Sequence, residues 1–85
     1  MTIDASLNEL NQVLLEAHEK GDQAKLARLY QTLAYRLEAQ GDSDAACFFM
    51  THAYVFGLAV GSPDAALTWE FLRDHGRESG TFRPP

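Results

Sequence analysis

Ala39-Gln40-Gly41-Asp42-Ser43-Asp44, near the middle of the chain, interrupts two long runs of apolar residues spaced three or four apart. A glycine just past a helix takes the left-handed backbone conformation that ends it, and an aspartate one residue on can cap the next helix. Gly41-Asp42 is therefore a two-residue joint between helices. Working outward, Gly21-Asp22 and Gly61-Ser62 stand 20 residues away on either side. The spacing predicts helices over 4–20, 23–40, 43–60 and 63–76. Joints this short force neighbours to run antiparallel. Val and Ile together number four, and no segment alternates in the manner of a strand, so a sheet has nothing to be built from. The expected fold is all-α, with the four helices either stacked as hairpins or closed into a bundle. Both arrangements use the same apolar stripes.

A chain of 85 residues makes one domain with a small core. We place that domain at 1–76 and read 77–85, with its Gly, Ser and Pro, as a flexible tail from which Phe82 can dock back. Twelve acids against seven bases give a net charge of -5. Such a chain repels phosphate backbones, and nucleic acid is not expected as a partner. The single cysteine, Cys47, excludes an internal disulfide. Met1 to Leu15 has no basic region of the kind that opens a secretory signal, and a cytoplasmic setting fits best.

The first helix carries a stripe of Leu7, Leu10, Val13, Leu14 and Ala17, and Ser6-Leu7-Asn8-Glu9 has capping-box spacing at its start. The second buries Leu26, Leu29, Tyr30, Leu33, Ala34 and Leu37. The third differs, because from Ala45 to Pro63 no residue is charged. Thr51, His52 and Gly57 interrupt the run and its flanks are acidic, which argues against a membrane span. It is expected to be a central helix covered on most sides, with Ala46, Ala53 and Gly57 forming a small-residue seam where a neighbour comes close. Phe48, Phe49, Met50, Tyr54, Phe56 and Leu58 are assigned to its other sides. Ser62-Pro63-Asp64 predicts the start of the fourth helix, with Ser62 as N-cap and Pro63 at the first helical position. Gly76 is its natural stop.

Tyr30, Leu33, Ala34, Leu37, Gly41, Ala46, Met50 and Ala53 together resemble a tetratricopeptide repeat, a helix–turn–helix unit of about 34 residues. The resemblance covers about residues 27–60. The family's proline would fall at Leu58, whereas this chain places one at Pro63, and Arg73 occupies what would be a small position in a following unit beginning at Trp69. The resemblance implies a module that binds a protein or peptide partner, with Arg28, Gln31, Tyr35 and Glu38 on the groove-facing side of the first helix of the unit. Arg28 suits a peptide carboxylate and Tyr35 an apolar side chain.

Two other readings stand beside this one. The aromatic content exceeds what four short helices readily enclose, so Phe48 and Phe56 are candidates for a self-interface in a homodimer. A small enzyme or ligand carrier would use a pocket near His52 and Cys47. His18, His52 and His75 lie on three helices without metal-ligand spacing, and the glycines are isolated turn residues rather than a phosphate-cradling loop. No cofactor, metal or catalytic residue is therefore assigned. His52 is expected to be buried or half-buried and bonded to a carbonyl or a hydroxyl.

Overall fold

The computed structural model describes residues 3–78 and 80, with side chains from Glu9 onward. The expected capping box at Ser6–Glu9, the stripe residue Leu7 and the docking residue Phe82 lie outside this description wholly or in part. Four α-helices make up the described chain: α1 (Ile3–Lys20), α2 (Gln23–Ala39), α3 (Ser43–Ala59) and α4 (Ala65–Asp74). The protein is all-α. Among the described residues no helix is long and apolar enough to cross a membrane.

The joints explain the helix ends. Gly41 adopts φ +84°. Its N–H donates to the Glu38 carbonyl and that of Asp42 to the Leu37 carbonyl, the paired bonds of a Schellman stop. The Asp42 carboxylate then accepts from the Ala45 N–H at 3.1 Å. One residue thus completes one helix and caps the next, and Asp22 does the same between α1 and α2. The fourth helix departs from expectation by starting at Ala65 instead of Pro63. Ser62 Oγ does accept from the Asp64 N–H, but its carbonyl accepts from Ala65 three residues on, so the first turn is tighter than α. Gly76 closes α4 as expected, and the same bonding pattern carries Arg77, whose N–H donates to the Leu72 carbonyl.

Each helix packs chiefly on its chain neighbours: α1 on α2, α2 on α3, and α3 on α4. No comparable packing closes α1 onto α4 among the described residues. The Cα envelope measures 39 × 31 × 15 Å. Its thin dimension matches two layers of helices with axes roughly 10 Å apart. Helices that are not chain neighbours touch through individual side chains, His18 on Phe56 and Tyr35 on Phe71.

Two apolar clusters form the core. Leu10, Leu14, Ala17, Leu26 and Leu33 join α1 to α2, while Ala34, Cys47, Met50, Ala53 and Leu72 join α2, α3 and α4. Tyr30 and Phe49 pack against both. The seam of Ala46, Ala53 and Gly57 is buried as expected. Met50, assigned by sequence to a different side of α3, is fully buried with them.

Candidate functional site

The third helix is covered on most sides, as expected, but one face stays open. Phe48 is 59% exposed and Val55 56%, and exposed Thr51 and Ala59 complete an outward face whose charge, Asp44 at its amino end, is paired with Arg77. The open face follows from helix count. Four helices in two layers give α3 two packed neighbours, and two neighbours leave one face of a helix open. Of the pair named as a self-interface, Phe48 lies on this open face, whereas Phe56 is half-buried against Tyr30 and His18.

Beside this face runs an apolar groove of about 420 Å³ between α1 and α3, with α2 as its floor. Leu14, Leu15, Tyr30, Leu33 and Phe49 supply most of its lining, and among the described residues no Asp, Glu, Lys or Arg contributes. His18 stands in its wall, bonded through Nε2 to the Tyr30 hydroxyl at 2.9 Å. Rings of Phe48, Phe49, His52 and Tyr30 continue the surface from the groove onto the outer face of α3. Leu15, half-exposed, was the overlooked signal: it is apolar yet sits outside the buried stripe of α1. Pocket formation here follows from side-chain size, since α1 and α3 both lean on α2 while large residues hold them apart.

Arg28, Gln31, Tyr35 and Glu38 do share one face of α2, and that face looks toward α4. Arg28 and Gln31 border a depression of about 10 Å³, room for roughly one water. Tyr35 meets Phe71 edge-on with ring centroids 5.8 Å apart. Glu38 is held by His75, whose Nε2 donates to Oε1 at 3.0 Å, and it also accepts from Ser43 Oγ. Two of the four residues are thus occupied by contacts inside the chain.

Cys47 and His52 do not share a pocket. Cys47 is 2% exposed in the α2–α3–α4 cluster, where burial pushes its thiol pKa up. His52 belongs to the aromatic surface on the other side of α3, and its Nδ1 donates to the Phe48 carbonyl at 2.9 Å, a carbonyl bond of the kind expected of it. Among the described residues, no group of three or more His, Cys, Asp or Glu side chains is placed to hold a metal ion.

Compared with known proteins, this chain matches no family model, no curated protein and no solved structure. The reading of its function rests on its own geometry.

Proposed function

We propose that this chain is a binding module that seats an amphipathic helix of a partner protein in the groove between α1 and α3. The observation that carries the proposal is the groove itself: open, uncharged and floored by Tyr30 and Leu33. Helices bind in such grooves through apolar residues at i, i+3 or i+4, and i+7. The exposed acids Glu16 and Glu19 on α1 and the net charge of -5 favour basic residues flanking the partner's apolar stripe. The tetratricopeptide-like reading of α2 and α3 belongs to this proposal. It is supported by the fully buried Ala34, Ala46 and Ala53, the small residues at the positions the resemblance assigns to close crossing.

Selection of helical peptides from a display library, followed by affinity measurements on variants, tests this reading. Leu15→Glu, at a half-exposed groove wall, is expected to abolish binding of the selected peptides, and Arg28→Glu to leave it intact. The reverse pattern moves the site to the α2 face and overturns the groove.

A second reading has its own observation. The outer face of α3, with Phe48 and Val55 exposed and no charge from Ala45 to the end of the helix, suits a two-fold homodimer. Light-scattering mass across a concentration series separates the two. A dimer abolished by Phe48→Glu favours self-association, and a monomer at every concentration removes it.

A further inference from the structure

The carboxyl end of α4 is fastened to α2 through a pair of side chains 37 residues apart. His75 Nδ1 donates to the Phe71 carbonyl at 2.8 Å, and Nε2 donates to Glu38 Oε1 at 3.0 Å. The ring also stacks on Phe71, with centroids 4.2 Å apart. A carbonyl oxygen and a carboxylate oxygen are both acceptors, so both ring nitrogens carry protons when both bonds are made. Glu38 Oε1 accepts from Ser43 Oγ as well, at 3.4 Å. The clasp is thus an imidazolium on a carboxylate. Its other oxygen, Oε2, is buried with no partner among the described residues. Opening returns that oxygen to water.

We propose that His75 and Glu38 form a pH-sensitive clasp that holds the end of α4 on α2, closed while the imidazole is doubly protonated and loosened when it loses a proton and with it one of its two bonds. The charged and titratable neighbours come from every element packed there. Glu38 and Tyr35 stand on α2, Asp44 and Cys47 on α3, Asp74 on α4, and Arg77 just beyond it, with its guanidinium on Asp44 at 2.7 Å. The Glu38 bond and the Phe71 bond raise the His75 pKa, burial opposes each of them less strongly, and the charges of Glu38 and Asp74 add to the rise. A histidine raised on folding stabilises the fold below its unfolded pKa of about 6.5, and that contribution is lost as pH rises through the folded value. The clasp therefore loosens toward alkaline pH. Opening frees Tyr35 and Glu38 on the α2 face and uncovers the Cys47 cluster that Leu72 seals. This inference does not depend on what the α1–α3 groove binds.

The chain carries its own reporter in Cys47. Its protection is the rate of thiol modification in the urea-unfolded chain divided by the rate in the folded chain at the same pH, a ratio that cancels the intrinsic thiolate dependence. Between about pH 5.5 and 8.5, protection is expected to fall several-fold in the wild type and to stay level in His75→Gln. Proton NMR of the wild-type histidine rings is expected to show His75 titrating above the ordinary value, and Glu38→Gln to lower it. An unchanged protection in the wild type, the same fall in His75→Gln, or a wild-type His75 pKa at or below about 6.5 overturns the clasp. The wild-type titration decides even where a variant fails to fold.

Discussion

The α2–α3 seam and the α1–α3 side of the same molecule show opposite outcomes of one rule. Where α2 meets α3 the crossing residues are Ala34, Ala46 and Ala53, and the backbones approach until these residues are buried. Where α1 faces α3 the side chains are Leu14, Leu15, Tyr30, Phe49 and Phe56, and the helices stand apart over a groove. Small residues let helices touch, and large ones become their surface. The first region is a packed interior whose value is stability. The second leaves apolar area unburied, which a lone domain gains little from and a partner can use.

The largest test of this contrast is Met50→Ala. Met50 is fully enclosed on the tight side, and its loss is expected to cost about 2–5 kcal/mol by chemical denaturation. Leu14→Ala, on the groove wall, is expected at the low end of that range, because the space it vacates adds to an opening already present. Equal losses would mean that the groove is as closely packed as the seam.

Gly57 sharpens the comparison next. A Cβ built there meets Ala65 and Ser62 at 3.7 Å, ordinary contact, so alanine fits and a longer side chain does not. Gly57→Leu is expected to destabilise by about 1–3 kcal/mol as α4 is pushed off α3. Gly57→Ala is expected to be neutral or to stabilise by up to about 1 kcal/mol through helix propensity. An unshifted melting temperature for Gly57→Leu would show that the α3–α4 seam yields without cost.

Smaller effects are expected at the joints and smallest on the open face. Asp42→Ala removes the cap on α3 and is expected to cost about 1 kcal/mol, read from the thermal midpoint. Phe48→Glu is expected to change stability by no more than about 0.5 kcal/mol while reducing association with a partner or a second copy. A large loss of stability at Phe48 would mean that this face is core and would break the division drawn here.

The helices and joints were legible because their causes are local. Gly41 and Asp42 act on backbone groups within five residues, so the bonds they make follow from their order in the chain. The seam residues were legible too, since small side chains at helical spacing have few other uses. What the stripes did not disclose was which uncharged residues of α3 stay wet. Met50 and Phe48 are two positions apart and equally apolar, yet one is enclosed and the other is 59% exposed. Glu38, expected on a groove-facing surface, is half-buried under His75, a pairing that no local spacing announces. Leu15 carried a readable signal, an apolar residue beside the stripe rather than on it.

Sequence alone determined the number of helices, their close limits and the order in which they fold back, because capping and periodicity act over one or two turns. Tertiary structure decided that α1 packs on α2 without closing onto α4, that a groove opens beside Leu15 and Phe49, and that His75 reaches Glu38. Those outcomes depend on how far apart the side chains of different helices hold their backbones. That distance is a property of pairs brought together by folding, and neither member of a pair carries it alone.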